Sequence, residues 1–131
     1  MRALDMAKIL LVEDDRFLSK MYVDKMSRED GFEVEAVELG EEALKRIEKF
    51  SPDLILLDII LPDINGVQVL KRIRSNEKTA GIPVLMLTNL NEKDYINEAL
   101  SLGAKGYLIK AHFTPNEVVD KVRHILRSVN S

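Results

Sequence analysis

The 131-residue sequence contains no cysteine. That absence removes disulfides, thiol nucleophiles and thiolate metal sites together, and leaves the redox character of the compartment unreadable. Imidazole chemistry has only two histidines to draw on, His112 and His124. Neither stands with a second ligand or a nucleophile, so both are expected at the surface or partly packed rather than in catalysis. Positive charge is in deficit, since 19 Lys and Arg residues face 22 Asp and Glu for a formal net charge of −3. The basic residues are scattered among the acids instead of forming a stripe, which argues against nucleic acid as a direct ligand. No apolar run approaches the roughly 20 residues of a membrane span. The segment 1–8 also lacks the apolar stretch and cleavage site of a signal peptide, so the expected location is cytoplasmic with no membrane partner. Aromatics are few, at 5%, beside 46% hydrophobic and 31% charged residues, a composition ordinary for a globular chain. The length suits one domain over 1–131, with a core spanning about 7–127, ordered except at the two ends.

Five short runs rich in Ile, Leu and Val recur along the chain, at 8–12, 32–37, 54–57, 84–87 and 106–109. Four are nearly continuous rather than alternating, the pattern of strands covered on both faces. Between them lie amphipathic segments of helix length. Phe17, Leu18, Met21, Tyr22 and Met26 are read as one side of the first helix, and Ala43, Leu44, Ile47 and Phe50 as that of the second. Val67, Leu70 and Ile73 follow, then Ile96, Ala99 and Leu100, and finally Val118, Val122, Ile125 and Leu126. Boundary signals agree: Asn65 precedes the third helix, Gly103 follows the fourth, and Thr114-Pro115-Asn116-Glu117 reads as a capping box with proline at the first helical position. The order is (βα)₅. Strands joined by helical crossovers run parallel, and right-handed crossovers with helices on both faces give an α/β, doubly wound open sheet. Such sheets bind ligands outside the carboxyl ends of their strands. Glu13-Asp14-Asp15, Asp58, Thr88-Asn89 and Lys110 all fall at those ends.

Carboxylates brought together from neighbouring strand ends repel one another unless a cation intervenes. Mg²⁺ suits Glu13, Asp14 and Asp58, because it takes hard oxygen ligands, one or two of them protein carboxylates, and keeps waters or phosphate oxygens. With metal and the Lys110 ammonium neutralising phosphoryl oxygens, a nearby Asp can attack phosphorus and form an acyl phosphate. Thr88 would add a hydroxyl donor. Taken singly, each residue has a plainer reading: Asp15 a helix N-cap, Asp58 a turn former, Thr88 a strand-end hydroxyl, Lys110 a surface lysine with a packed stem. Their conjunction at one edge favours chemistry.

The motifs that carry those residues resemble the response-regulator receiver family over 7–127. Ile9-Leu10-Leu11-Val12-Glu13-Asp14 is similar to the family's first strand and acidic pair, and Pro52-Asp53-Leu54-Ile55-Leu56-Leu57-Asp58 to its phosphoacceptor strand. Leu61-Pro62-Asp63-Ile64-Asn65-Gly66 resembles the loop that follows. Pro83-Val84-Leu85-Met86-Leu87-Thr88 resembles the fourth strand, and Gly103-Ala104-Lys105-Gly106-Tyr107-Leu108-Ile109-Lys110 the fifth. The resemblance implies a flavodoxin-like sheet of strand order 2-1-3-4-5. It implies phosphorylation of Asp58 from a sensor histidine kinase or phosphotransfer protein, with Mg²⁺ held by Glu13, Asp14, Asp58 and the backbone carbonyl of Ile60. Thr88 and Lys110 would hold the phosphoryl group, and the rotamer of Tyr107 would report it. The result would be a signalling switch that promotes its own phosphorylation and dephosphorylation, not an enzyme. The fourth helix, fifth strand and fifth helix would form the surface offered to a downstream protein, an output domain or a second copy.

Three features depart from the family pattern. Lys110 is followed by Ala111-His112-Phe113 where a cis-proline is usual, with one extra residue before Thr114, and a trans path is expected to carry the lysine to the site. Asn89 stands where a very small residue is common. Ile60 and Leu90, which flank the site, are apolar, so slow loss of the phosphoryl group is expected. The sequence ends at Ser131, which leaves a stand-alone regulator and a receiver portion of a longer chain both open. Among rivals, a phosphohydrolase of the haloacid-dehalogenase type wants a second acid two residues after its nucleophile, and Asp58-Ile59-Ile60 has none. A flavodoxin-like cofactor binder wants a phosphate loop of Ser, Thr and Gly where this chain has acids. A degenerate receiver that only binds a partner is the third.

Overall fold

The computed structural model of the chain describes residues 7–29 and 31–130. Most of the leader segment 1–8 falls outside them, as does Ser131. The strands are β1 Lys8–Val12, β2 Glu33–Val37, β3 Leu54–Leu57, β4 Val84–Thr88 and β5 Gly106–Ile109. They alternate with helices α1 Arg16–Glu29, α2 Gly40–Phe50, α3 Gly66–Ser75, α4 Lys93–Ser101 and α5 Pro115–Asn130, and a 3₁₀ turn, Lys110–His112, follows β5. Every strand pair is parallel and the order is β2-β1-β3-β4-β5. This is the flavodoxin-like doubly wound sheet expected from the alternation and the resemblance.

Strand residues alternate between two cores. Ile9 and Leu11 of β1, Leu54 and Leu56 of β3, and Leu85 and Leu87 of β4 pack with Tyr22 and Met26 of α1 and Val118, Val122 and Leu126 of α5. Leu10, Val12, Ile55, Leu57, Val84 and Met86 point the other way, onto Ala43, Ile47 and Phe50 of α2, Leu70 and Ile73 of α3, and Ala99 of α4. Both faces of β3 and β4 are therefore buried along their whole length, which is why they read as continuous apolar runs. Burying each such Leu or Ile is worth roughly 1.5–3 kcal/mol. The outer strands β2 and β5 are only partly covered, and β2 alternates Glu33, Val34, Glu35 accordingly.

The caps set where each helix begins relative to the sheet edge. Asp15 Oδ1 accepts the Phe17 and Leu18 N–H groups. Asn65 and Gln68 form a reciprocal capping box, as do Thr114 and Glu117. Gly103 takes a positive φ of 81° just past α4, the conformation glycine adopts at no side-chain cost. Two apolar residues expected inside lie outside. Phe17 is 81% exposed, because five positions at about 100° each turn it roughly 140° away from buried Tyr22 on the same helix. Leu100 is also exposed. α4 packs against α3 and β5 at the sheet margin, and that leaves its outward flank uncovered.

Candidate functional site

The hydrogen-bond ladder runs past the ends of β1 and β3 and fixes the acids that follow them. The Glu13 N–H donates to the Val37 carbonyl at 3.0 Å, and the Asp58 N–H to the Val12 carbonyl at 3.1 Å. Glu13 and Asp58 are 2% and 5% exposed, while Asp14 is open to solvent. One carboxylate oxygen from each of Glu13, Asp14 and Asp58 lies within 4.8 Å of the others.

Lys110 enters from β5. Its side chain is 11% exposed, and its Nζ donates to Asp58 Oδ2 at 2.7 Å and sits 2.5 Å from Glu13 Oε1. Burial alone would pull the lysine's pKa down. The bonds to Asp58 and Glu13 outweigh that and hold the ammonium above its ordinary value. Glu13 moves up as well, first through burial and against the pull of Lys110. No cis peptide bond occurs among the described residues. The amine reaches the acids through the 3₁₀ turn Lys110–His112, with the Ala111 N–H donated to Asn89 Oδ1 at 3.0 Å.

Thr88, fully buried at the end of β4, accepts the Leu90 N–H on Oγ1 at 3.3 Å, and the Tyr107 hydroxyl donates to the Leu90 carbonyl at 2.5 Å. Burial, aided by the nearby Asp58 charge, pushes the Tyr107 phenol up to about 12. The Ile60 N–H donates to Asp58 Oδ1 at 3.2 Å while its side chain is 58% exposed. Leu90 instead packs half-buried against the core shared by α2, α3 and α4. His112 and His124 are exposed. A depression of about 510 Å³ opens at the opposite, amino edge of the sheet, beside Pro52 and Ile82, and holds none of the candidate residues.

Two further residues shape the site. A Cβ on Gly66 would lie 2.1 Å from the Asp58 carbonyl oxygen, and the Gly66 N–H donates to the Ile59 carbonyl at 2.8 Å. Glycine at the start of α3 therefore lets that helix rest on the backbone that carries Asp58. Asp63, in the loop between Asp58 and α3, accepts the Gly40 and Glu41 N–H groups at 2.8 and 2.9 Å and caps α2, whose own N-cap position, Leu39, offers no side-chain acceptor. Asn65-Gly66 signals a helix start, but nothing local reveals the approach to Asp58. Asp63 acts 23 residues back along the chain.

The donor set fits a hard divalent cation. Three carboxylates against one ammonium leave an excess of two negative charges when all are ionised. Glu13 Oε2 accepts the Asp15 N–H, and buried Oε1 faces the Lys110 ammonium. Clustered oxygen ligands with negative charge in excess are what Mg²⁺ takes.

This fold and this set of strand-end residues define a receiver. The family model of the response regulator receiver domain matches residues 9–123, and the chain belongs to that family. It is similar to the phosphate regulon transcriptional regulatory protein PhoB of Rhizobium meliloti, at 36% identity over 92% of this chain and 52% of that protein. The alkaline phosphatase synthesis transcriptional regulatory protein PhoP of Bacillus subtilis is 39% identical over 92% and 48% of the two chains. The chain thus spans about half the length of the curated relatives it matches. Among solved structures it resembles chemotaxis protein CheY4 of Vibrio cholerae, with TM-score 0.82, 30% identity, and 91% and 98% of the two chains covered. The BeF3-activated N-terminal receiver domain of Klebsiella pneumoniae RstA gives TM-score 0.82 at 29% identity, covering 92% and 98%. Among the described residues no helix is long and apolar enough to cross a membrane.

Proposed function

We propose that Asp58 is a phosphoacceptor, loaded from the phosphohistidine of a sensor kinase or phosphotransfer protein. The observation that carries this reading is a buried carboxylate at a strand end, bonded to a buried ammonium and flanked by two more acids. An Asp58 oxygen attacks phosphorus, the new O–P bond forms as the donor's N–P bond breaks, and the electron pair leaves with the imidazole. Glu13, Asp14, Asp58 and the backbone carbonyl of Ile60 would hold Mg²⁺. When bound, the metal supplies positive charge to the phosphoryl oxygens as they approach the carboxylate. Lys110 and the Thr88 hydroxyl bind those oxygens. The chain acts as a switch, not a turnover enzyme. Engagement of Thr88 biases the segment through Leu90 and Tyr107, and so the surface of α4, β5 and α5, because a ligand shifts a two-state element by contacts made in one state only. That surface serves a downstream protein, an output domain or a second copy. The charge of −3 and dispersed basic residues favour protein over nucleic acid for these residues, and the setting proposed is the cytoplasm.

Incubation with Mg²⁺ and acetyl phosphate should place one base-labile phosphoryl group on Asp58, detected by mass spectrometry. Asp58→Asn should abolish it, and Asp14→Ala should weaken Mg²⁺ binding measurably. Undiminished labelling of Asp58→Asn would overturn the assignment.

A further inference from the structure

We infer that Asn89 is a positioning residue for Lys110, acting through the Ala111 N–H, an inference that rests on the phosphoacceptor reading of Asp58. The sheet order places β4 between β5, which carries Lys110, and β3, which carries Asp58. The lysine side chain must therefore cross the end of β4 to reach Asp58 Oδ2 and Glu13. The β4–β5 ladder stops at the pair Thr88 and Ile109. From there the chain leaves strand geometry for the 3₁₀ turn, whose own backbone bond, from the Phe113 N–H to the Lys110 carbonyl, is long at 3.4 Å. Asn89 supplies the shorter link, with Oδ1 3.0 Å from the Ala111 nitrogen.

That side chain extends the β4–β5 pairing by one crosslink beyond the ladder, at the point where Lys110 departs. Ala111 makes it possible, because a proline there would have no N–H to give. Asn89 and Ala111, 22 residues apart, are thus the two halves of one bond. Its mechanical consequence follows from lysine's flexibility: a four-carbon stem carries many rotamers, and fixing its base limits how often the amine misses the acids. The bond also ties Lys110 to the residue next to Thr88, so the two groups that bind phosphoryl oxygens keep a set separation.

The test compares wild type with Asn89→Ala, Asn89→Leu, Ala111→Pro and the double variant Asn89→Ala with Ala111→Pro. Hydrogen exchange of the Ala111 amide is followed by NMR. The rate of acyl-phosphate formation is measured at saturating Mg²⁺ and acetyl phosphate, together with apparent Mg²⁺ affinity. Asn89→Ala and Asn89→Leu should both expose the Ala111 amide and slow labelling by roughly three- to tenfold, the range one hydrogen bond allows, with Mg²⁺ affinity unchanged. In the Ala111→Pro background, Asn89→Ala should have no further effect. Equal slowing in both backgrounds, slowing by Asn89→Leu alone, or an Ala111 amide that exchanges equally fast in wild type and Asn89→Ala would each overturn the positioning role. Should Ala111→Pro fail to fold, the pair of Asn89 variants still separates a lost acceptor from altered bulk. A wild type that takes no phosphoryl group on Asp58 would overturn the phosphoacceptor reading and this role with it, a result distinct from the exchange readout, which needs no phosphate.

Discussion

Gly66→Ala places one methyl group where the structure has least room for it. Its Cβ would stand 2.1 Å from the Asp58 carbonyl oxygen and 2.8 Å from the Ile59 Cα, whereas a carbon normally stays about 3.3 Å or more from a carbonyl oxygen. Backbone, not a flexible side-chain tip, must yield by roughly 1 Å. Either the first turn of α3 lifts, breaking the Gly66 to Ile59 hydrogen bond, or the peptide of Asp58 tilts. Overpacking of this kind costs about 1–3 kcal/mol. Alanine's better helix propensity returns at most about 1 kcal/mol, so even with that full return the net loss should reach about 2 kcal/mol at the upper end. Urea unfolding should show a lower midpoint with an unchanged m-value. Because a 1 Å misplacement of a reacting group can cost about a hundredfold in rate, phosphorylation of Asp58 should fall by more than stability does. Gly81→Ala is the control, since its Cβ would meet nothing within 4 Å; it should leave both properties near wild type. A Gly66→Ala protein as stable as wild type and labelled at the wild-type rate would refute the reasoning.

Asp63→Ala should cost roughly 0.5–2 kcal/mol by uncapping α2. The bonds from Glu41, Gly40 and Ile64 overcome burial and hold the Asp63 carboxyl below its ordinary value. Its contribution is therefore complete above the ordinary aspartate range and lost as pH falls through the folded value, so variant and wild type should converge in acid unfolding curves. Tyr107→Phe should remove the phenol that ionises at about 12 from an ultraviolet titration; the stability tied to that phenol is present below pH 10 and lost as pH rises through 12. With Mg²⁺ and beryllofluoride, amide shifts should spread to Leu90 and Tyr107, and shifts confined to the acids would contradict the coupling. The acyl phosphate should be long-lived, and Ile60→Asn with Leu90→Glu should hasten its decay about tenfold, a change of 1.4 kcal/mol in barrier, with Mg²⁺ affinity nearly unchanged.

The elements were legible where burial was symmetrical. β1, β3 and β4 are covered on both faces, so their residues form unbroken apolar runs that admit few alternative boundaries. At the margins apolarity and strand part company: Phe32 continues the apolar run of β2, yet it packs into the core just before the strand begins. Glu13, Asp58, Thr88 and Lys110 could be gathered from sequence because parallel topology alone brings the carboxyl ends of all strands to one edge. What topology does not encode is distance. The approach of Gly66 to Asp58, the capping of α2 by Asp63, and the bond that joins Asn89 to Ala111 all depend on loops meeting in space. Phe17 departs from the apolar face for a local reason, since its spacing from Tyr22 is wrong for a shared face.

The hydrogen bonds around Thr88 bear on whether phosphorylation would compete with the existing contacts or add to them. A hydroxyl has one proton and two lone pairs. Thr88 uses a lone pair to accept the Leu90 N–H, and that bond leaves its proton available to a phosphoryl oxygen. The Leu90 carbonyl in turn holds the Tyr107 hydroxyl. A phosphoryl group on Asp58 would therefore lengthen a continuous chain of bonds from Asp58 to Tyr107 without breaking one. Lys110 would likewise change its acceptor, from Asp58 Oδ2 to a phosphoryl oxygen, while Glu13 keeps the ammonium in place. Since the one buried bond given up, from Lys110 to Asp58 Oδ2, is exchanged for another, the free energy of the Thr88 contact goes into favouring the arrangement with Tyr107 bound to Leu90. Thr88→Val, which keeps the shape and removes the hydroxyl, should then leave Asp58 able to accept phosphate but abolish the shift at Tyr107. A full Tyr107 response in that variant would mean the signal travels by another route.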